Sequence, residues 1–313
     1  MSLGKTTVLP LMIVLALLTS AANAQPKQLD GGQIDRITGA KGTLNKEENV
    51  YKVSFPRDDV KVTVDGVRMP PFMGLTSWAS FMPGTKDEAM VMGDIVLFQD
   101  EVNPAMSAAF DNGLTVTGLH NHFFYDNPKV YFMHIGGEGG TERLATGVRK
   151  VLDRVKEIRS ASPEIAKGFG HEPLPEKSTL MAEPLAKVIG HKGTEKDGMV
   201  KFTIGRTTKM PCGCEVGKEM GVNTWAAFYG SDDHAIVDGD FVTFEGELQP
   251  VLKSLRANGI NVVAIHNHMQ DETPRTIFLH YWAVGPSHKL ASGVKAALDA
   301  QAQSTPSSPS KSK

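Results

Sequence analysis

Two matching stretches decide the fold of this chain: Leu119-His-Asn-His-Phe-Phe-Tyr-Asp-Asn-Pro-Lys-Val-Tyr-Phe-Met-His134 and Ile265-His-Asn-His-Met-Gln-Asp-Glu-Thr-Pro-Arg-Thr-Ile-Phe-Leu-His280. In each stretch, two apolar segments flank a polar turn that contains proline. Equivalent positions differ by 146 residues, as His120 and His266 do. The pattern predicts a β-hairpin that occurs twice.

The match between the two halves extends upstream of the hairpins. Ala89-Met-Val-Met-Gly-Asp94 corresponds to Ala235-Ile-Val-Asp-Gly-Asp240, and Trp78-Ala-Ser-Phe81 corresponds to Trp225-Ala-Ala-Phe228. Self-similarity at a nearly constant offset is the signature of an internal duplication. We therefore expect two tandem repeats.

The repeat boundaries follow from where the match ends. We expect the first repeat at residues 34–155 and the second at residues 185–303. Residues 160–184 are rich in proline, glycine and charge, which is typical of a linker. Residues 304–313 consist largely of serine, proline and lysine, a composition typical of a disordered tail.

Both repeats show the same order of elements. Strands come first, and a helix then opens near Pro104 or Pro250 and ends at Gly113 or Gly259. Proline is tolerated in the first turn of a helix and glycine favours its end. The hairpin and an amphipathic helix complete each unit. This order predicts an α+β fold of two repeats, each a mixed sheet with a histidine-bearing β-hairpin and two helices, related by a pseudo-two-fold axis.

Residues 1–24 have the features of a secretory signal peptide. Lys5 supplies a positive charge, residues 8–18 are apolar, and Ala22-Asn-Ala24 fits a cleavage site. The alternative is an uncleaved membrane anchor, against which the cleavage site argues. No cysteine follows the apolar stretch, so we expect no lipid anchor, and no other apolar run approaches the length of a membrane span. We expect a periplasmic or secreted protein without a membrane span in its mature chain.

The charge balance gives no sign of a nucleic-acid partner. The chain has 33 basic and 35 acidic residues and a formal net charge of -2. No basic stripe of the kind that binds phosphate backbones stands out. The surface is therefore expected to be that of an ordinary soluble protein. The leading hypothesis about function, given below, makes the expected partner a small-molecule substrate, and the oligomeric state stays open.

The three histidines of the first hairpin are expected to converge. Alternate residues of a strand share a face, so His120 and His122 point the same way. The turn composition of residues 125–129 centres the hairpin on residue 127. His134 then lies directly opposite His120, since each is seven residues from that centre, and opposed side chains are close neighbours. His266, His268 and His280 repeat the arrangement.

These six histidines are the candidate metal ligands. The residues around them are apolar, and burying unpaired polar groups costs free energy, so a bound metal would explain them. Three imidazoles with an open fourth position are typical of a catalytic zinc site. Copper, iron and nickel also accept imidazole, so the metal is expected to be zinc with another first-row divalent metal as the alternative. The competing interpretation is a set of hydrogen-bonded structural histidines.

Three other residues are candidates for a catalytic role. Glu101 and Glu247 occupy matched positions near the start of the first helix and could act as general bases. The alternative is that each stabilises the helix N-terminus. Arg275, which matches Lys129 in the other hairpin, could neutralise an anionic substrate. Asp94 and Asp240 follow a glycine in both repeats, and we expect them to turn the strand.

The two cysteines, Cys212 and Cys214, are separated by one glycine. This spacing excludes a disulfide between distant elements. A tight disulfide, a thiolate pair that binds metal and two unremarkable thiols remain as interpretations, and an oxidising compartment favours the disulfide.

The paired motifs resemble the LppY/LpqO domain family. The resemblance rests on Gly74-Leu-Thr-Ser-Trp78-Ala-Ser-Phe81 with Leu119-His-Asn-His-Phe-Phe124, and on Gly221-Val-Asn-Thr-Trp225-Ala-Ala-Phe228 with Ile265-His-Asn-His-Met269 and Phe278-Leu-His-Tyr-Trp282. It implies an exported bacterial protein and covers nearly the whole mature chain, but it implies no reaction. Lipid anchoring, found in some members, does not carry over without the required cysteine.

The histidine site alone is similar to the zinc motif of acetolactate decarboxylases and of zinc ester hydrolases of that fold. His120, Asn121, His122, Phe123 and His134 match this motif, as do His266, His268 and His280. The residues before the third histidine, Phe-Met or Phe-Leu, replace the usual Gly-Gly. The resemblance implies metal-assisted polarisation of a carbonyl group.

Three hypotheses about function follow. The first is an exported metal-dependent enzyme, a hydrolase or lyase that acts on a small carbonyl or ester substrate. The second is a non-catalytic protein that binds copper or zinc, which the Cys-Gly-Cys motif and 14 methionines favour. The third is an envelope interaction protein with inert histidines. Elemental analysis of the purified protein separates the first two from the third.

Overall fold

The computed structural model describes residues 28–304, and these residues form two repeats of the same design. The elements of the first repeat are α1 (Gly31–Thr38), β1 (Thr43–Asn45), β2 (Val50–Pro56), β3 (Thr63–Val64), β4 (Val67–Arg68), β5 (Thr76–Pro83), β6 (Ala89–Phe98), α2 (Val102–Asp111), β7 (Thr115–His120), β8 (Asp126–Asn127), β9 (Val130–Gly139) and α3 (Thr141–Ala161).

The second repeat follows the same order with small local differences. Its elements are α4 (Ala182–Ile189), β10 (Gly193–Lys196), β11 (Met199–Gly205), β12 (Thr208–Lys209), β13 (Glu215–Val216), β14 (Asn223–Gly230), β15 (Ala235–Phe244), α5 (Leu248–Ala257), β16 (Asn261–His266), β17 (Thr276–Gly285) and α6 (Ser287–Ser304). Short 3-10 turns at Lys218–Met220 and Glu245–Glu247 precede β14 and α5.

Twelve strands form one continuous sheet that runs through both repeats. Their order is β1-β2-β5-β6-β9-β7-β16-β17-β15-β14-β11-β10. The second half therefore has the strand order of the first half in reverse, and the halves meet at β7 and β16. At the centre, Leu119 pairs with Ile265 in an antiparallel bridge. These two residues are equivalent positions of the repeat, so the halves are related by a pseudo-two-fold axis, and the α+β class and the tandem organisation are confirmed.

The ladders in this sheet are antiparallel, where the sequence predicted a mixed sheet within each repeat. The chain does make a crossover from β6 through α2 to β7, which is the connection expected between parallel neighbours. However, β9 lies between β6 and β7 and is antiparallel to both. The crossover therefore leaves no parallel ladder.

The helices cover one face of the sheet and build the main hydrophobic core. Leu119 and Ile265 belong to this core, together with Met106 of α2 and Leu252 of α5. Because neighbouring residues of a strand point to opposite faces, His120 and His266 lie on the other face. Two small apolar clusters, around Phe132 and Phe278, lie under the loops of that face.

Each repeat has three helices rather than the two that the sequence predicted. The additional ones, α1 and α4, are two-turn helices of eight residues. The side chain of Asp30 caps α1 by accepting from the backbone N–H of Gln33 at 3.1 Å. Gly39 and Gly190 end α1 and α4 with φ of 78° and 80°. Such short helices have little periodic signal, and packing against α3 and α6 stabilises them.

The segment between the repeats runs from the end of α3 to the start of α4. The helix α3 ends at Ala161 and α4 begins at Ala182, so α4 starts inside the range expected to be linker. The expected signal peptide, residues 1–24, lies outside the described residues, and so do residues 305–313 of the expected tail. Between residues 28 and 304, no helix has both the length and the apolar character needed to cross a membrane.

The two hairpins form as predicted, but their register is shifted by two residues. His134 pairs with Gly118, and His120 pairs with Phe132. The turn is asymmetric because Asp126 and Asn127 leave the hairpin and pair with β3. Farther from the turn, a bulge between Val116 and Gly118 adds a residue to β7. A shift of two keeps His120 and His134 on their predicted face, since strand side chains alternate with a period of two. Beyond the bulge the alternation changes phase, and Val116 packs in the main core together with Leu119.

Candidate metal centre

The third histidine of each hairpin, His134 or His280, lies in a row of residues across the face of the sheet that the helices leave uncovered. Each row crosses four neighbouring strands in register, with a tryptophan, an aspartate, a histidine and a small residue. The rows are Trp78, Asp94, His134 and Gly118 in the first repeat, and Trp225, Asp240, His280 and Ala264 in the second. The strand register thus places Asp94 beside His134 and Asp240 beside His280.

In the second repeat, Asp240, His266 and His268 form a group that can hold a metal ion. One ligand atom from each residue lies within 4.8 Å of the other two. The Nε2 atoms of His266 and His268 are 3.0 Å apart, and His268 Nε2 is 3.4 Å from Asp240 Oδ2. Two ligands of a tetrahedral zinc ion, bound at about 2.0–2.1 Å, would be about 3.3 Å apart. The spacing therefore fits a first-row metal.

Stacking on a phenylalanine fixes the outer histidine of each hairpin. The ring of His268 lies on Phe278 with centroids 3.5 Å apart and planes 10° apart. His122 lies on Phe132 in the same way, at 3.3 Å and 4°. Each phenylalanine comes from the opposite strand of the hairpin, so the hairpin itself orients the ligand.

The protonation states in the second repeat favour metal binding. Burial, followed by the neighbouring His280 and His268, lowers the pKa of His266 to about 4. The imidazole is therefore neutral at neutral pH, as a metal ligand must be. Burial raises the pKa of Asp240, although His280 and His268 oppose that rise. A carboxylate that is penalised by burial gains from a nearby cation.

Buried polar atoms without a partner mark the same group. Asp240 Oδ1 and His266 Nδ1 are shielded from solvent, and neither has a hydrogen-bond partner in the described part of the chain. Leaving such atoms unpaired is costly. The donor set, two imidazoles and one carboxylate, suits zinc and other first-row metals. These residues therefore fit a metal ion.

The first repeat has the same residues in a different arrangement. His120 Nε2 and His134 Nε2 are 2.9 Å apart, and Asp94 lies beside His134 on the neighbouring strand. Asp94 Oδ1 is also buried without a hydrogen-bond partner. Burial lowers the pKa of His122. Nevertheless, within residues 28–304 it is the second repeat, and not the first, that has three ligand atoms within 4.8 Å of one another.

His280 lies outside the close group of ligand atoms. Its ring stacks on His266 with centroids 4.8 Å apart. Its Nδ1 atom is 3.3 Å from the backbone oxygen of Gly239, to which it can donate. A backbone contact of this kind orients an imidazole ring. The third member of the close group is the carboxylate of Asp240 rather than the predicted His280.

The prediction that Asp94 and Asp240 turn the strand is wrong. Both lie within ten-residue strands, β6 and β15. The preceding glycines serve close packing instead: a Cβ atom at Gly93 would lie 2.7 Å from the backbone oxygen of Trp78, and one at Gly239 would lie 2.2 Å from the ring of Tyr281. The recurrence of Gly-Asp inside a strand pattern in both repeats was the available signal.

Glu101 and Glu247 are buried in ion pairs at the starts of α2 and α5. Glu101, which is 0% exposed, contacts Arg57 and Arg159 at 2.8 Å each and accepts from the backbone N–H of Phe98 at 2.9 Å. Glu247 pairs with Arg206 and accepts from Gln301 at 2.9 Å. These contacts are not with the histidines, and they hold the strand end and the helix start together.

The basic residues of the hairpin turns lie at the surface. Arg275 is exposed, and its charge contributes to the lowered pKa of Glu272. The Lys129 Nζ atom is 3.9 Å from Asp126 Oδ1. Both basic groups thus neighbour an acid of their own turn.

Cys212 and Cys214 are free, exposed thiols, so the expected disulfide is not formed. They lie between β12 and β13, and Cys212 Sγ accepts from the backbone N–H of Cys214 at 3.4 Å. Lys209 of the same hairpin pairs with Thr273 in the turn between His268 and His280. The thiols are therefore carried by a hairpin that is attached to the histidine turn.

Comparisons with known proteins identify the family but not a reaction. A search of curated proteins found no match. Among solved structures, the chain aligns with a trimeric bacterial microcompartment shell protein, PduB, at 10% identity and a TM-score of 0.22, covering 83% of this chain and 90% of that one. It also aligns with an aspartate kinase from Synechocystis at 10% identity and a TM-score of 0.14, covering 70% of this chain and 40% of that one. The model of one family matches residues 32–154 and again residues 183–300. The chain therefore belongs to the family described as Domain of Unknown Function (DUF1259), of which it contains two copies.

Proposed function

We propose that this protein is an exported metal-dependent enzyme, a hydrolase or lyase that acts on a small ester or carbonyl compound. The observation that carries the proposal is the group formed by Asp240, His266 and His268, whose ligand atoms lie within 4.8 Å of one another. Three protein ligands are typical of catalytic zinc sites, in which the fourth position stays open. The resemblance of the histidine motif to that of acetolactate decarboxylases and zinc ester hydrolases agrees with this proposal.

The residues of the chain would divide the work in a simple way. A bound metal ion would supply Lewis-acid polarisation of the substrate oxygen. His266 and His268 would hold the ion as neutral imidazoles, and Asp240 would provide the negative charge. Phe278 would keep His268 in place through ring stacking at 3.5 Å. We propose zinc as the metal, and copper, iron or nickel are the other outcomes of a metal analysis.

Export is the second part of the proposal. It rests on residues 1–24 and on the resemblance to the exported LppY/LpqO domain proteins. Cell fractionation and N-terminal sequencing test it. We expect a periplasmic or secreted protein that begins at Gln25, and a cytoplasmic protein that begins at Met1 would contradict export.

The experiment that tests the enzyme is metal analysis combined with an ester hydrolysis assay. The wild-type protein should bind zinc and hydrolyse 4-nitrophenyl esters, and His266→Ala should abolish both. His191→Ala is the matched control because His191 is an exposed histidine outside the hairpins. Loss of zinc with unchanged hydrolysis would contradict the proposal.

A non-catalytic metal-binding protein is the second candidate. The observation in its favour is the pair of exposed thiols, Cys212 and Cys214, on a hairpin joined to the histidine turn through Lys209 and Thr273. Thiolates select copper(I) and zinc. Metal binding without turnover, weakened when both cysteines are replaced by serine, would support this candidate. A protein that binds no metal would instead support an envelope interaction protein.

A further inference from the structure

A cavity of about 480 Å³ adjoins the metal group of the second repeat. Asp240 and His268 form part of its wall, so a metal ion held by them would face the cavity. The other lining residues come from β11, β14 and the segment before β14: Lys201, Thr203, Lys218, Glu219, Gly221, Asn223 and Trp225. The cavity therefore adjoins the residues that would hold the ion.

Two lysines line this cavity together with two acids, Glu219 and Asp240. Lys201 places its Nζ atom 4.4 Å from the ring centroid of Trp225, in a cation–π contact. Lys218 is half exposed, and its Nζ atom is 3.8 Å from Oε1 of the adjacent Glu219. The Glu219 side chain is 91% exposed. Such a solvent-exposed pair is weak. With Asp240 engaged by a metal ion, the two ammonium groups are available to an anion.

The wall that carries Lys218 is held in a fixed position. Asn223 Nδ2 donates to the backbone oxygen of Lys218 at 2.8 Å. Gly221, with φ of 84°, ends the 3-10 turn, and a Cβ atom there would lie 4.0 Å from His268 Nδ1. Trp225 pairs with Asp240 on the neighbouring strand and forms a flat side of the cavity. The cation, the aromatic ring and the metal ligands are therefore placed together.

The first repeat lacks this combination. It keeps the first lysine, since Lys52 Nζ is also 4.4 Å from the ring centroid of Trp78. The segment before β5, however, reads Pro70-Pro-Phe-Met73 and has no lysine, and Phe72 is 82% exposed. Phe123 approaches Gly74, where a Cβ atom would lie 3.2 Å from the phenyl ring. The second cation is therefore a property of the second repeat.

We propose that this cavity binds a small anionic compound, with a carboxylate or phosphate group on Lys201 and Lys218 and its planar part against Trp225. The inference deepens the proposed function because it names the substrate class of the same centre, and it rests on that function for the metal ion that engages Asp240 and for turnover. It makes the second repeat the substrate-binding half. Lysines bind both kinds of anion as point charges, so the chemistry is shared between the two.

Binding can be measured without turnover by calorimetric titration of the zinc-loaded protein with benzoate, phenyl phosphate and benzamide. We expect at least one of the two anions to bind roughly tenfold more tightly than neutral benzamide, as charge-assisted contacts allow. The tighter of the two identifies the anionic group. The preference should disappear in the Lys201→Gln, Lys218→Gln double variant and return in Lys201→Arg, Lys218→Arg. Lys52→Gln is the matched control and should keep it.

Equal binding of benzamide and both anions would overturn the inference, and so would an anion preference that survives the double variant. Turnover is followed separately with 4-nitrophenyl acetate and the 4-nitrophenyl monoester of succinic acid. If neither ester is hydrolysed while lysine-dependent anion binding is observed, the enzymatic proposal fails and the anion site stands. If the protein hydrolyses both esters equally well and the double variant does the same, the enzyme stands and the anion site fails.

Discussion

The side-chain amide of Asn103 in the first repeat makes two hydrogen bonds with the backbone of Val262 in the second repeat. Its Nδ2 atom donates to the Val262 oxygen at 3.1 Å, and its Oδ1 atom accepts from the Val262 N–H at 2.8 Å. Gln249 does the same to Val116 in the opposite direction, at 2.7 and 3.1 Å. Each amide therefore satisfies the backbone at the β-bulge of the other repeat, next to a central ladder in which Leu119 pairs with Ile265.

Replacing one of these amides should loosen the junction between the repeats. In Asn103→Leu, the N–H and oxygen of Val262 stay buried without a partner, which costs about 1–3 kcal/mol. Gln249→Leu should have an effect of similar size. Urea unfolding measures the loss, and Gln303→Leu on the exposed side of α6 is the control. Unchanged stability of both variants would show that the amides do not hold the repeats together.

Replacing the buried glutamates should cost stability rather than metal binding. Glu101→Gln removes the charge between Arg57 and Arg159, and Glu247→Gln does the same to Arg206. Breaking a buried ion pair typically costs about 3–5 kcal/mol. We expect a lower free energy of unfolding and an unchanged zinc content. Glu142→Gln, at an exposed position of α3, is the control and should leave both unchanged. A folded, zinc-loaded variant of normal stability that has lost activity would instead favour the general-base role.

The turn of the second hairpin should weaken at acidic pH. Burial by itself raises the pKa of Glu272, but hydrogen bonds from the N–H and hydroxyl of Thr276, both at 2.7 Å, lower it below the ordinary value of 4.5. Because the folded pKa is the lower one, the carboxylate stabilises the fold above about pH 4.5 and loses this effect as the pH falls through the folded value. The difference in unfolding free energy between wild type and Glu272→Gln should shrink from pH 7 to pH 3. A constant difference would contradict this assignment.

Asp240 should be needed for tight metal binding. Asp240→Asn removes a charged ligand beside His268, and loss of a ligating or orienting group typically weakens metal binding about 10- to 100-fold or more. Asp238→Asn, two residues earlier and exposed, tests whether charge near the site is sufficient. Zinc titration against a chelating indicator measures both. Equal affinities of the two variants would mean that Asp240 is not a ligand.

The sequence was sufficient for the duplication, the hairpins and the face on which the histidines lie. These features depend on local patterns, and strand alternation places His120 and His134 on one face whichever even register is adopted. The register itself was predicted wrongly because the turn gives Asp126 and Asn127 to a separate small sheet. A turn whose residues pair with a strand that is distant in the sequence leaves no local signal in the sequence.

The carboxylate of the site could not be placed from the sequence for a related reason. Asp240 reaches the histidines because β15 pairs with β17 rather than with β16, and this order depends on contacts between distant parts of the chain. Glu247 is matched in both repeats as Asp240 is, and the ion pair with Arg206 that gives it a structural role is also non-local. Local patterns thus identify which residues share a face, whereas strand order decides which of them meet.

The most direct test of the metal centre is a crystal structure of the zinc-saturated protein with anomalous data at the zinc edge. We expect an anomalous peak at about 2.0–2.2 Å from Nε2 of His266, Nε2 of His268 and a carboxylate oxygen of Asp240. Data that show no peak in this group at saturating zinc, or a peak on other residues alone, would contradict the proposed centre.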